Sequence, residues 1–169
     1  MVVEQGFRLW QRAVSFAARQ HSGQLRKDGR TPYFAHPVRV AMTVRDIFEV
    51  DDPEVLAAAI LHDVIEDTTT DYDDLLQEFG RHVADLVASL SKDSRLPEAE
   101  REESYDAGLS KAPWAARLIK LADVFDNYCD ARNDSERAKV ATKATRAIQC
   151  AGDDPRLRKA VGVVQVLIS

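Results

Sequence analysis

Apolar residues recur at intervals of three and four through most of this chain, and that spacing is typical of amphipathic helices. Phe7, Trp10, Val14 and Ala17 fall on one stripe of a helix predicted over residues 5–21. We find no convincing run of alternating apolar and polar residues that would predict a strand. Only the final stretch, AVGVVQVLI, is rich enough in β-branched residues to be extended instead of helical. The pattern therefore predicts an all-α fold.

Prolines mark where several of these helices begin. Pro37 opens a helix that runs to about residue 49, and Pro53 opens a third that ends near Asp67. Two short helices follow, a long one starts after Pro113, and two more complete the chain. The charged stretch before that last proline is only weakly periodic, and no helix is predicted there. These elements predict a helical bundle of about seven to nine helices.

The composition fits one globular domain over residues 1–169, with 45% hydrophobic and 30% charged residues. A net charge of −5 provides no overall basic field, so neither nucleic acid nor a membrane is an expected partner. Cys129 and Cys150 match no zinc or redox spacing and are expected to be reduced thiols. Without a leader-like N-terminus or a membrane-length apolar run, we expect a cytoplasmic protein. Self-association as a homo-oligomer is left open.

Four ionisable residues stand in the last turns of the third helix, in the stretch LHDVIEDT: His62, Asp63, Glu66 and Asp67. Spacings of three and four residues place them around one side of those turns. Burying unpaired charge is costly, and the helix dipole disfavours carboxylates near a C-terminus. A bound cation would resolve both conflicts. The alternative is a solvated helix end, where such charges are ordinary.

His36 and Asp123 are candidates to complete a cation site. His36 stands directly before a helix-opening proline, and Asp123 interrupts an apolar helical face. For each residue alone, a satisfied buried histidine or an exposed aspartate is the commoner explanation. Mixed imidazole and carboxylate ligands suit a first-row divalent ion such as Mn, Fe, Zn or Co. Such an ion makes hydroxide available near neutral pH and offsets charge on a phosphoryl oxygen.

The order of these residues, His36, then His62 and Asp63, then Asp123, resembles the HD superfamily of metal-dependent phosphohydrolases. Two flanking stretches, HSGQLRKDGRTPYFAHP and LHDVIEDT, are similar to the hydrolase domain of guanosine tetra- and pentaphosphate enzymes and their stand-alone relatives, the small alarmone hydrolases. The similarity covers about residues 7–132. It implies an all-α HD domain that binds a guanosine polyphosphate.

The resemblance also implies roles for individual residues. His36, His62, Asp63 and Asp123 are expected to bind a single divalent ion, usually Mn²⁺. The remaining site residues are expected to be two catalytic carboxylates, Glu66 and Asp67, and three nucleotide-binding residues, Arg26, Lys27 and Asn127. The implied reaction is attack of water on the 3′-pyrophosphate ester of the alarmone, which gives GDP or GTP and pyrophosphate.

Two residues depart from the family pattern beside Asp123. The family has a basic residue where this chain has Val124, and Asp126 adds a negative charge close to the expected metal. Less cationic surroundings weaken attraction for a polyphosphate. Two alternatives therefore stay open: the same chemistry on another nucleotide or phosphate ester, and a nucleotide-binding relative without turnover.

Overall fold

The structure, a computed structural model, describes residues 2–169, with side chains from residue 6 onward. Its α-helices are Val2–Gln20 (α1), Ala35–Met42 (α2), Pro53–Leu61 (α3), Val64–Asp67 (α4), Tyr72–Phe79 (α5), Arg81–Ala88 (α6), Glu98–Leu109 (α7), Trp114–Cys129 (α8), Asp134–Ala151 (α9) and Arg158–Ile168 (α10). A π-helical turn, Thr43–Ile47, continues α2, and a 3₁₀ turn, Pro155–Leu157, precedes α10. In this described part, β-type pairing is confined to one isolated bridge between Leu25 and Pro32. The predicted all-α fold is confirmed.

The predicted third helix is interrupted, and the prediction of a continuous helix to Asp67 is wrong. The α3 helix ends at Leu61, and α4 begins at Val64 after a turn at His62 and Asp63. Asp63 has φ −102° and ψ −3°, outside the helical region, while its carboxylate contacts side chains elsewhere in the fold. If α3 and α4 are taken as one kinked helix, residues 2–169 contain nine α-helices, which is the upper limit of the predicted seven to nine.

Two further segments differ from the sequence expectation. The charged, weakly periodic stretch forms α7, which buries only Tyr105 and Leu109. Two anchors four residues apart are enough to hold one face of a helix, yet too few to produce a clear periodic signal. The stretch AVGVVQVLI is helical and lies within α10, where Ala160 and Val164 are buried with the same spacing. The possibility of an extended C-terminus is therefore wrong.

Local capping explains where α3 begins. The Asp52 carboxylate accepts hydrogen bonds from the backbone N–H groups of Glu54 (2.9 Å) and Val55 (3.3 Å). Pro53 occupies the first turn, where its missing N–H costs nothing. The start of α3 is thus fixed by adjacent residues, as the sequence predicts.

The α3 helix lies in the centre of the fold. Every side chain from Val55 to Leu61 is buried, and the helix packs against α1, α2, α6 and α8. A helix that is apolar on all sides belongs in the interior. As a result, the end of α3, the start of α2 and the middle of α8 meet at one place. No helix in the described chain is both long and apolar enough to cross a membrane.

Candidate metal centre

Two imidazoles and one carboxylate from three different helices converge in the interior. His36 comes from the start of α2, His62 from the end of α3 and Asp123 from the middle of α8. One ligand atom of each lies within 4.8 Å of the others, and all three residues are buried. Imidazole nitrogens and a carboxylate oxygen are suitable ligands for a divalent cation.

Hydrogen bonds at Nδ1 orient both imidazoles. The Nδ1 of His62 lies 2.9 Å from the carbonyl oxygen of Ala59, and that of His36 lies 2.7 Å from a carboxylate oxygen of Asp126. Because both partners accept hydrogen bonds, Nδ1 is the donor in each ring, and Nε2 of the neutral ring keeps its lone pair. This is the tautomer that a metal-binding histidine needs.

The Nε2 atom of His62 supports a cation at this place. It is buried and makes no hydrogen bond, although the Oδ2 of Asp63 lies only 2.9 Å away. When the ring is neutral both of these atoms are acceptors, so a cation between them would satisfy both. The neighbouring donors, an imidazole and carboxylates, suit a divalent ion, so the residues present fit a metal of this class.

Asp63 approaches the same centre from the turn between α3 and α4. Its Oδ2 lies 2.9 Å from Nε2 of His62 and 3.5 Å from Nε2 of His36. The hydroxyl of Tyr33 donates a 2.6 Å hydrogen bond to this oxygen. Asp63 therefore lies beside the three mutually close ligands, although it does not belong to the group whose atoms are all within 4.8 Å.

The carboxylate of Asp123 is fixed by two donors of its own helix. Lys120 donates to Oδ2 over 2.7 Å, and the side-chain amide of Asn127 donates to Oδ1 over 2.6 Å. Spacings of three and four residues place both donors on the same face of α8 as Asp123. The amide and the ammonium hold the carboxylate toward the two histidines.

Charge coupling within the centre is strong. Burial alone would lower the pKa of His36, but contacts with Asp123, Asp126 and Asp63 raise it well above the ordinary value. Burial would raise the pKa of Asp123, yet Lys120 and the imidazoles keep it far below its usual range. The carboxylates therefore remain charged. A bound cation would take the place of the imidazole protons and balance these negative charges.

The predicted catalytic carboxylates lie at the rim of this centre. Glu66 and Asp67 are exposed and line an open cleft of about 650 Å³, which also contains the three convergent ligands. Glu66 accepts a 3.2 Å hydrogen bond from the backbone N–H of Lys92. Burial raises the pKa of Glu66, and Lys92 partly opposes that shift. The Gln24 amide donates to the Asp67 carbonyl over 2.8 Å, which ties α4 to the loop after α1.

The predicted nucleotide-binding residues line an adjoining cleft of about 500 Å³. Arg26 donates to the Asn127 side chain and to Asp130, each over 2.9 Å, and its guanidinium lies 5.6 Å from the centre of the Tyr33 ring. Asn127 lines both clefts, and Lys27 lines the second. The two clefts therefore meet at Asn127, which also contacts Asp123.

The loop that carries Arg26 is shaped by its own hydrogen bonds. Asp28 accepts from the backbone N–H groups of Arg30 and Thr31 over 2.8 and 2.9 Å. Gly29 has φ +70°, a value that other residues rarely adopt. This loop presents Arg26 to the cleft in a defined conformation.

Val124 and Asp126, the two residues that depart from the family pattern, lie in different surroundings. Val124 is buried in the core. Asp126 contacts His36 and also accepts two hydrogen bonds from Arg39, over 2.6 and 3.0 Å. Its negative charge thus lies close to the metal centre, as expected, and is paired with the guanidinium of Arg39.

Sequence reasoning did not identify three residues that support the centre: Arg39, Lys120 and Asp126 as a partner of His36. Lys120 is three residues before Asp123 on a helix, so helical spacing was a usable signal for it. Asp126 and Arg39 are separated by 87 residues along the chain. No local pattern links such a pair.

The helices bring two histidines and an aspartate together, and a second aspartate directly follows one of these histidines in the chain. This arrangement defines a class of metal-binding α-helical domains. Residues 13–149 match the family described as HD domain. Since the match spans most of the chain, the protein belongs to the HD domain family.

The relatives of this chain are consistent with that membership. It is 42% identical over 118 residues to guanosine-3′,5′-bis(diphosphate) 3′-pyrophosphohydrolase MESH1 of Danio rerio, covering 69% of this chain and 66% of that protein. The Homo sapiens protein of the same name is 40% identical over 119 residues, covering 70% of this chain and 66% of its own. The chain thus spans just under two thirds of the length of these curated relatives.

A solved structure extends the similarity to the fold. The structure of a metazoan ortholog of SpoT, described as hydrolysing ppGpp, has a TM-score of 0.80 and 29% sequence identity. The superposition covers 92% of this chain and 93% of that one. The sequence identification of an HD-type relative of alarmone hydrolases is therefore confirmed.

Proposed function

We propose that this protein hydrolyses the 3′-pyrophosphate of guanosine tetra- or pentaphosphate, giving GDP or GTP and pyrophosphate. The observation that carries the proposal is the convergence of His36, His62 and Asp123, in which the buried Nε2 of His62 makes no hydrogen bond and faces a carboxylate oxygen 2.9 Å away. Relatives about 40% identical, which are named for this activity, supply the substrate. The chemistry that such a centre suits is phosphoryl hydrolysis.

The proposed cofactor is one divalent ion, most simply Mn²⁺, held by His36, His62, Asp63 and Asp123. Such an ion lowers the pKa of a water molecule and offsets charge on the phosphoryl oxygens. The hydrogen bonds to Nδ1 of each imidazole keep both rings turned toward this position. Tyr33 and Lys120 hold the two carboxylates through one hydrogen bond each.

Glu66 and Asp67 are the proposed proton-transfer and water-orienting groups. Both line the cleft that contains the metal centre, one turn after Asp63. A general base works best when its pKa is near the operating pH, and burial moves the pKa of Glu66 in that direction. The attacking water would form a bond to phosphorus and lose a proton to the Glu66 carboxylate. The bond from phosphorus to the ribose 3′ oxygen would break, and that oxygen would take up a proton from Glu66 or from solvent.

Arg26, Lys27 and Asn127 are proposed to hold the nucleoside. A guanidinium presented by a fixed loop can stack on a base, and lysine provides a point charge for phosphate. Asn127 lies between this cleft and the metal centre, so a ribose there would have its 3′ substituent directed toward Asp123. The cytoplasmic location stays a prediction, and self-association stays open.

The test is incubation of purified, metal-stripped protein with guanosine tetraphosphate, with and without added Mn²⁺, while GDP and pyrophosphate are followed by chromatography. We expect both products in equal amounts only when the ion is added. Protein that rebinds the ion but forms neither product would contradict the proposal. Release of orthophosphate from another nucleotide would then favour the alternative substrate.

A further inference from the structure

A recess beside the metal cleft contains several cations, of which only Lys120 has a role in the proposed reaction. It is lined by Lys92, Tyr105, Lys120, Lys143 and Arg146, among others. The first four of these residues also line the metal cleft, so the two spaces adjoin. The recess is therefore within reach of a ligand bound at the centre.

The hydroxyl of Tyr105 is buried and has no hydrogen-bond partner. The residue is only 9% exposed, and burial raises its pKa to about 12, so the hydroxyl keeps its proton. A buried O–H donor without an acceptor is costly unless a ligand supplies one. Tyr105 thus offers a hydrogen bond to an acceptor that enters the recess.

Two lysines stand over the ring of the same tyrosine. The Nζ atoms of Lys92 and Lys120 lie 5.2 and 5.5 Å from the centre of the Tyr105 ring. The backbone N–H of Lys92 also contacts Glu66, while Lys120 contacts Asp123. Each lysine therefore connects the recess to a residue of the proposed active site.

The charge in the recess is not fully balanced. Glu102 pairs with Lys92 and with Arg146, and Asp106 also pairs with Arg146. Lys143 has no hydrogen bond or ion pair with a carboxylate among the described residues. Lys143 lines the same recess as Lys92 and Lys120, and partial burial together with these two ammonium groups lowers its pKa. An anion would relieve this repulsion.

We propose that Tyr105, Lys92, Lys120 and Lys143 form a second phosphate site, which binds the distal phosphate of a pyrophosphoryl group whose other phosphate lies at the metal centre. Lys120 contacts both Asp123 and the Tyr105 ring, so a single side chain separates the two positions. The inference rests on the proposed function for the identity of the substrate.

The test is calorimetric titration of inorganic pyrophosphate into the Mn²⁺-loaded protein at constant ionic strength. Tyr105→Phe keeps the ring and removes the donor, and Lys143→Gln removes an exposed charge. Hydrogen bonds to charged groups contribute substantially to the free energy of binding. We therefore expect each change to weaken pyrophosphate binding roughly tenfold. Orthophosphate is too short to reach both positions, so its binding should weaken less in both variants.

Lys139→Gln is the matched control, because Lys139 is an exposed lysine on the same helix that lines neither the recess nor the metal cleft. It should bind pyrophosphate like the unmodified protein. Unchanged binding in Lys143→Gln, or an equal loss in the control, would overturn the second phosphate site. If Tyr105→Phe does not fold, as judged by thermal unfolding, Lys143→Gln still decides. Because pyrophosphate binding needs no turnover, this result is independent of whether guanosine tetraphosphate is the substrate.

Discussion

The contact between Asp126 and His36 shows how one residue can control the metal centre without binding the metal. The carboxylate accepts from Nδ1 of His36 over 2.7 Å, and Arg39 holds it from the other side. Removing such a hydrogen bond from a metal-binding histidine typically lowers metal affinity by about 10- to 100-fold. We therefore expect Asp126→Asn to raise the Kd for Mn²⁺ by at least roughly tenfold, measured by calorimetry.

Asp130→Asn is the control for this change. Asp130 lies one turn later, at the C-cap of α8, and also pairs with Arg39, at 3.3 Å, but within the described residues it contacts neither histidine of the metal centre. Its substitution should leave the Kd for Mn²⁺ within about twofold of the original, although it loosens Arg26. Equal losses in the two variants would show that Arg39, and not the orientation of His36, determines metal affinity.

Glu66 and Asp67 should affect turnover without affecting metal binding. Neither residue is among the convergent ligands, and both are exposed at the cleft. We expect Glu66→Gln and Asp67→Asn each to lower kcat by about 100-fold or more, the usual contribution of a positioned proton-transfer group. Steady-state kinetics and the Kd for Mn²⁺ would be measured on the same preparations. Normal turnover in both variants would remove these carboxylates from the mechanism.

At the scale of a helix, the start of α3 depends on a single capping residue. Asp52 accepts two backbone hydrogen bonds, so Asp52→Ala should lower the free energy of unfolding by about 1 kcal/mol. Asp51→Ala is the matched control, because Asp51 is exposed and does not cap the helix. Urea unfolding of both variants checks this. An equal effect of the two changes would indicate loss of general negative charge instead of loss of a cap.

The helices show which parts of the fold could be predicted and which could not. The start of α3 was predictable because Asp52 and Pro53 act on their immediate neighbours. The break at His62 and Asp63 was not, because the contacts of Asp63 come from Tyr33 and His36, about thirty residues earlier in the chain. The α7 helix was missed because only Tyr105 and Leu109 face the core. The sequence pattern was thus informative wherever the interactions that fix a helix come from residues of that helix or next to it.

The candidate ligands were predictable for a different reason. Residue type and order along the chain, in the stretches around His36, His62 and Asp123, were enough to suggest them. Their orientation was not predictable, because Asp126 reaches His36 from 90 positions away in the chain. The recess at Tyr105 was missed for the same reason, since α6, α7, α8 and α9 must all be in place before it exists.

At the scale of the whole molecule, the metal centre joins α2, α3 and α8, so an ion there should stabilise the fold. Buried carboxylates and imidazoles favour a cation in the folded chain, and the unfolded chain has no such preformed site. At a free metal concentration of 100 times Kd, the expected gain is about 2.7 kcal/mol. For a chain of this size, that corresponds to a rise in Tm of very roughly 5 to 10 °C.

Thermal unfolding with Mn²⁺ and with excess chelator measures this stabilisation. The unmodified protein should unfold at a lower temperature in chelator, and added Mn²⁺ should restore the original Tm. Asp63→Ala removes one proposed ligand, so its Tm should depend much less on the ion. If the unmodified protein unfolds at the same temperature in both conditions, the convergent residues do not bind the ion. If Asp63→Ala still responds fully, Asp63 is not one of its ligands, and the centre consists of His36, His62 and Asp123 alone.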